Sequence, residues 1–367
     1  MVIPFLTIYL NHKGYSLSDA GIIMATFGMG AFLGGYVGGR LTDTYGFFWV
    51  QVASLFMNGL LFVVLGYMEG ALQIGLCVFA LSTLGEAFRP ANAAAIAAYS
   101  NDHNRTRSYS LNRLAINLGW AIGPALGGLL ASINYALLFW VDGATCVLAA
   151  LLLYVSFSRE RGISLLQQEA PDTSRAPSVY KDRSFLTGMF FIFLVAVTFL
   201  QLFSIIPLFY KEAVQLDELT IGIILASNGL LIVAVEMVLV YKLEKRGKPI
   251  LYIVYGAVLI GSSFLVLAIA PVLVFVLLGM LVVTFGEMLL FPFANDFWVS
   301  RTNAHNRGQY AAVYTMTFAL AHVLAPLLSS RVAVWLGYRG LFIIDFAVCC
   351  VAALGFIWLR SQLKENG

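Results

Sequence analysis

The sequence predicts an all-α polytopic membrane protein built from two related helical bundles, and three observations carry that prediction. Hydrophobic residues make up 60% of the 367 and charged residues only 11%, where a soluble domain carries about 25% charged. Long stretches hold no Asp, Glu, Lys or Arg at all: Phe47–Met68, Leu114–Val141, Ser184–Tyr210, Pro249–Gly286 and Gly308–Ser330. The chain also repeats itself at an offset of 201–203 residues. A water-soluble surface cannot be assembled from so few charges, which excludes soluble enzymes, disulfide scaffolds and nucleic-acid modules.

Crossing a bilayer takes about 20 apolar residues per helix, and the uniform apolar runs are too long for barrel strands. Turn signals such as Asn134 and Pro271 divide the longer runs. The expected helices are 17–39, 48–67, 71–99, 107–131, 135–157, 184–210, 219–241, 249–268, 272–298, 308–331 and 340–360, preceded by a stub, Met1–Leu10. Of the 22 basic residues, 16 fall in loops that alternate to one face and four on the other, with Arg89 and Arg113 inside helices. The positive-inside rule makes the richer face cytoplasmic. Residues 158–183 carry nine charges and two prolines and read as a cytoplasmic linker. The expected organisation is an N-terminal bundle (1–157), that linker, and a C-terminal bundle (184–367) ending in the cytoplasm.

The repeat rests on polar positions. Leu138-Phe139, Asp142, Ala144, Cys146 and Ala149-Ala150 recur as Leu341-Phe342, Asp345, Ala347, Cys349 and Ala352-Ala353. Gly85-Glu86 recurs as Gly286-Glu287, Asn104-Arg105 as Asn306-Arg307, and Pro124 as Pro326. A duplicated six-helix unit places a substrate site near the midplane between the halves. Pro4 aligns with Pro207, which follows a full helix, so most of a first helix is expected to be missing from this chain. Cys77, Cys146, Cys349 and Cys350 all lie in apolar stretches and read as reduced core residues. No spacing suggests a metal site, a phosphate loop or a catalytic triad, so neither enzymatic activity nor a bound cofactor is expected.

The segment Gly39-Arg40-Leu41-Thr42-Asp43-Thr44-Tyr45-Gly46 resembles the signature loop of the major facilitator superfamily, although Phe47, Phe48 and Trp49 stand where that family usually has basic residues. Gly119-Trp120-Ala121-Ile122-Gly123-Pro124-Ala125-Leu126-Gly127-Gly128 resembles the fifth-helix motif of its bacterial drug/proton antiporters. The resemblance implies the major facilitator fold of two pseudo-symmetric six-helix bundles. It makes Gly39, Asp43 and Gly46 gate-loop residues; Arg105 and Arg307, just before the fifth and eleventh helices, read either as gate-loop residues or as part of a solvated basic loop. Gly119, Gly123, Gly127 and Gly128, with the bend-permitting Pro124, form a smooth seam between the halves.

In that superfamily the first, fourth, seventh and tenth helices line the cavity, which puts Glu86 and Glu287 there. A charge inside the membrane costs at least about 2.5–3.5 kcal/mol, so each should face a cavity or a partner. Arg89 shares a face with Glu86 at i+3, either as a permanent pair or as part of a protonation switch. Arg113 would join Glu86, meet an anionic substrate or snorkel to the interface. Asp142 and Asp345 read as structural capping or pairing residues, His322 as a hydrogen-bonded core histidine, and Glu236 as a weaker gate candidate. Phe27, Trp120, Phe291 and Trp298 are candidate pocket aromatics.

The function so implied is secondary active transport by alternating access, with proton-coupled export of small amphipathic molecules across a bacterial inner membrane. Proton-coupled uptake of a peptide, sugar or organic acid is the alternative, and a transport-inactive sensor or scaffold the third reading. The proton gradient supplies the energy. The expected partners are a small-molecule substrate and the lipid bilayer, without nucleic acid, and the chain is expected to act as a monomer.

Overall fold

The computed structural model describes residues 1–99, 105–157, 179–244, 249–301 and 307–365; the side chains of 97, 105–107, 109–110, 113, 307–308 and 364–365 fall outside that description. Among the described residues there is no strand. The first bundle comprises α1 (Ile3–His12), α2 (Leu17–Tyr45), α3 (Phe47–Leu65), α4 (Ala71–Tyr99), α5 (Arg105–Ile133) and α6 (Tyr135–Ser156). The second comprises α7 (Arg183–Phe199), α8 (Ile205–Glu212), α9 (Glu218–Glu244), α10 (Pro249–Leu267), α11 (Leu273–Val299) and α12 (Arg307–Glu365). In a bilayer every backbone group must be satisfied within its own segment, and uninterrupted helices do this.

Local chemistry sets the helix ends. Ser16 and Asp19 form a reciprocal capping box at the start of α2. Gly46, at φ 84°, separates α2 from α3 while its N–H still reaches the Thr42 carbonyl at 2.9 Å. Asn134 caps α6 by accepting the Ala136 N–H at 2.8 Å. Asp182 caps α7 through the Phe185 N–H at 2.9 Å and also takes Arg301 at 3.2 Å and the Tyr310 hydroxyl at 3.0 Å.

One expected boundary is corrected. The helix expected over 184–210 is broken by a tight turn at Leu200–Phe203, with Ser204 at φ −129° and ψ −74°. Pro207 supplies the cause, since its nitrogen cannot donate to Phe203 and its ring crowds that carbonyl. The stretch Arg307–Glu365 holds the two helices expected at 308–331 and 340–360, divided at Gly337, whose backbone is non-helical (φ 68°, ψ 173°). Within the expected linker, residues 158–178 lie outside the described residues; Val179–Lys181 forms a short turn leading to α7.

The bundles meet along two seams, α2 against α12 and α5 against α9. At the end of the molecule opposite the basic loops these seams are tight. A methyl group placed on Gly28 would stand 2.5 Å from the Val323 nitrogen, and one on Gly229 would stand 2.6 Å from the Ala121 nitrogen. Gly128 meets the backbone of Glu218 and Gly222 just as closely. Toward the basic end the contact stops: Gly35, two turns from Gly28 on the same face of α2, has nothing within 4 Å, and neither does Gly39 or Gly119. The bundles are therefore closed together at one end and splayed at the basic end. By contrast, Gly30, Gly34 and Gly38 pack within the first bundle, against α4 at Phe79, Thr83 and Ala87.

Candidate functional site

Between the bundles lies a cavity of about 520 Å³. The first bundle brings Phe27 from α2, Glu86 and Arg89 from α4, and Asn117 and Trp120 from α5; the second brings Asn228 from α9, Glu287 and Phe291 from α11, and Tyr314, Phe318 and His322 from α12. Phe199, Phe203 and Ser204, at the break between α7 and α8 in what is the seventh span of the chain, add to the wall.

Two carboxylates from equivalent helices of the repeat thus face one space, each held by a specific neighbour. Oε2 of Glu86 lies 2.8 Å from Nε of Arg89, the acid side chain 23% exposed and the Arg89 side chain 74%. Oε2 of Glu287 accepts the Asn228 amide at 3.0 Å, and the same amide nitrogen reaches Thr284 Oγ1 at 3.0 Å. Aromatic rings fill the space between them. Trp120 meets Phe203 across the bundle boundary at 4.8 Å, Phe199 meets Phe291 at 4.8 Å, and Phe318 lies 5.8 Å from Phe291 and 5.0 Å from Tyr314. A mostly apolar wall with a few converging polar groups is the usual make-up of a small-molecule site.

The far end of the cavity is shut by polar bridges between the bundles. Thr7 donates to the Ser204 carbonyl at 2.8 Å, Asn11 to Glu212 at 2.8 Å and Tyr135 to Glu218 at 3.1 Å. Lys211, 2.9 Å from Glu218, and Tyr338, 2.6 Å from Glu212, support the two acids from within the second bundle.

Of the residues singled out in the sequence, Glu86, Arg89, Glu287, Phe27, Trp120 and Phe291 come together in this cavity. Trp298 does not: it packs against Tyr314 at 5.8 Å and donates to Asn295 at 2.6 Å. Gly128 and Pro124 pack on α9, while Gly123 and Gly127 lie beside the start of the chain. Asp43 is exposed at the splayed end. Arg105, Arg113 and Arg307 have side chains outside the described set. Glu236 is buried in α9, away from the cavity wall. His322 lines the cavity, 6.2 Å from the Phe27 ring, where a core position had been expected.

Asn117, Asn228, Phe199, Phe203, Tyr314 and Phe318 were not anticipated. Asn228 carried a signal, a lone amide in an otherwise charge-free stretch of helix; the aromatics carried none among 28 Phe and 17 Tyr. A second cavity of about 340 Å³ inside the first bundle is lined, among the described residues, by Gln51, Asn92, Ser108, Asn112 and apolar or aromatic side chains, without a carboxylate.

The sequence profile of the Major Facilitator Superfamily matches residues 1–326. The chain belongs to this superfamily. Among curated relatives of this transporter, a Na(+), Li(+), K(+)/H(+) antiporter of Planococcus maritimus is 24% identical, with 98% of this chain and 91% of the relative aligned. The quinolone resistance protein NorA of Staphylococcus aureus is 27% identical over 42% of this chain and 40% of its own. Among solved structures, a point mutant of the nucleoside transporter NupG superposes with a TM-score of 0.82 at 12% identity, covering 98% of this chain and 95% of that one. The transporter is therefore a multi-pass membrane protein of the major facilitator fold that moves a small-molecule substrate, and it is not an enzyme.

Proposed function

We propose that this transporter is a proton-coupled exporter of small amphipathic molecules, driven by the proton gradient across a bacterial inner membrane. The observation that carries the proposal is the pair of repeat-related carboxylates, Glu86 and Glu287, facing one aromatic-walled cavity. With the basic loops, the linker and the C-terminus on the cytoplasmic side, the splayed end opens inward and the amphipathic ligand enters from the cytoplasm. Protonation of Glu86 removes the charge that holds Arg89, and protonation of Glu287 turns an acceptor toward donation. Either change alters these contacts and biases the rocking of one bundle against the other. The names of the antiporter and quinolone-resistance relatives favour export with proton exchange.

A second reading, proton-coupled uptake of a small anionic nutrient such as a peptide or organic acid, is favoured by one observation. The Arg89 guanidinium is largely exposed to the cavity and can hold a carboxylate.

The test uses an efflux-deficient bacterial host expressing the chain or its Glu86→Gln variant. Growth and accumulation are recorded for toxic amphipathic compounds and for sodium, lithium and potassium. Export predicts lower accumulation with the parent chain and none of that protection with Glu86→Gln. No protection by a well-expressed parent, together with saturable pH-dependent uptake of a peptide or organic acid, overturns export in favour of the second reading.

A further inference from the structure

Away from the cavity carboxylates, one polar cluster is buried yet incomplete. The break in the seventh span turns Gln201 into the second bundle, where its Nε2 donates to Oδ1 of Asp345 on α12 at 2.8 Å. Gln201 is 2% exposed and Asp345 5%. The other side-chain oxygen of each, Oε1 of Gln201 and Oδ2 of Asp345, is buried with no hydrogen-bond partner. An amide oxygen and a carboxylate oxygen are both acceptors, so neither can satisfy the other. Buried polar atoms are almost always paired, and an ionised carboxylate inside a membrane bundle normally has a cation beside it. Among the described residues no Lys, Arg or His forms an ion pair with Asp345. The titratable group facing it is Cys349, one turn along α12 and itself buried; Cys350 follows. None of these supplies a positive charge.

One proton satisfies both oxygens. A carboxylic acid and a primary amide close a ring of two hydrogen bonds when the amide N–H donates to the acid carbonyl and the acid O–H donates to the amide carbonyl. The first bond is present, and the two unpartnered oxygens are the pair that the second requires. Ser204, three residues further along the same break, lines the central cavity and its own hydroxyl is also unpartnered. The break therefore joins the acid–amide pair to the cavity wall.

We propose that Gln201 and Asp345 form a second proton-holding site of this transporter, in which Asp345 carries a proton on Oδ2 that it donates to Gln201 Oε1. On release the proton passes to water and the electron pair stays on the carboxylate. Asp345 is then left as a buried anion facing an amide oxygen, a contact that the break at Leu200–Phe203 must rearrange to relieve. The use of this proton in transport rests on the antiport reading; its presence does not.

The test is infrared difference spectroscopy of the full chain in liposomes, titrated from acid to alkaline buffer in light and heavy water. The expected result is a carbonyl band of a buried protonated carboxyl that shifts on deuteration. It should disappear reversibly at alkaline pH and be lost in Asp345→Asn, whose side chain preserves both hydrogen bonds of the ring and so should fold. In Gln201→Leu the band should move to higher frequency, because the acid carbonyl no longer accepts an N–H. Absence of the band in the parent chain, or its survival unchanged in Asp345→Asn, overturns the proposal. A positive band in a chain that protects no host against amphipathic compounds would leave the proton site standing and sink the export reading alone.

Discussion

Gly28 of α2 lies so close to Val323 of α12 that a single added methyl group would stand 2.5 Å from the Val323 nitrogen. That contact closes the bundles at one end, and Gly35 on the same face marks where they part. Overpacking of this kind costs about 1–3 kcal/mol, which is enough to change the balance between two transporter states by roughly fivefold or more. Gly28→Ala should therefore open the closed end, increasing labelling by a membrane-impermeant thiol reagent of a cysteine placed at Ser204 in a chain freed of its four native cysteines. Gly35→Ala should leave that labelling unchanged or lower it, since its methyl would clash only when the splayed end closes. Equal labelling in both variants would show that the seam does not set the equilibrium.

The polar bridges at the same end act additively with the seam. Asn11 and Glu212 come from opposite bundles and occupy positions one repeat apart, 201 residues. Each exposed or partly exposed bond of this kind is worth about 0.5–1.5 kcal/mol. Loss of two, in Asn11→Ala with Tyr135→Phe, should raise labelling at the Ser204 position by about tenfold while the single variants give roughly threefold each. Labelling that matches the parent chain would mean the closed end is held by the glycine seam alone.

Much of this architecture was legible in the sequence because lipid imposes strict rules on it. Charge-free runs located the spans, and the resemblance to the superfamily, whose fourth and tenth helices line the cavity, placed Glu86 and Glu287 there; their cost in a membrane asks only for a cavity or a partner. The wall of the cavity was not legible. Phe203 and Phe318 line it while Phe264 is buried in the core and Phe190 is exposed on the outside, and all are apolar residues in apolar helices with weak periodicity. In a soluble helix polarity separates the inner face from the outer; in a bilayer both faces are apolar, so Trp298 and Trp120 could not be told apart. The break at Leu200–Phe203 was hidden for a different reason: Pro207 announces a disturbance but not whether the helix bends or stops.

That distinction between the two tryptophans is measurable. Trp120 forms part of the cavity wall and bridges the bundles to Phe203, whereas Trp298 packs on Tyr314 outside that wall. Trp120→Leu should weaken retention of an aromatic transported compound by about 0.5–1.5 kcal/mol, or roughly two- to tenfold in apparent affinity. Trp298→Leu should change affinity by less than that. A larger loss in Trp298→Leu would place the ligand outside the cavity described.

At the start of α9, Asp217 accepts the Thr220 backbone N–H at 2.6 Å, and hydrogen bonding to Thr220 holds its carboxyl below the usual carboxylate range. A carboxyl whose value is lowered on folding contributes stability above its unfolded value of about 4, and loses it as the pH falls through the lower folded value. The group is almost fully exposed, so the cap bond and not the screened charge sets the size of the effect. Asp217→Ala should lower stability by about 0.5–2 kcal/mol at neutral pH. Melting curves of the two proteins in detergent should stay apart down to pH about 4 and converge only below it. Convergence already near neutral pH would contradict the cap.

The Glu86–Arg89 pair decides whether the cavity charges are scaffolding or machinery. A buried pair that merely holds a helix costs about 3–5 kcal/mol when one partner is removed, and such a variant would be made in low yield. Here the Arg89 side chain is 74% exposed, and exposed pairs are worth about 0.2–1 kcal/mol. Arg89→Ala should therefore accumulate in the membrane and melt nearly as the parent chain does, while exchange of substrate for protons falls sharply. Glu86→Gln should likewise fold, and the double variant should be no less stable than either single one. If Arg89→Ala instead unfolds and adding Glu86→Gln rescues its yield, the pair is structural, and proton coupling must reside on Glu287 or on Asp345.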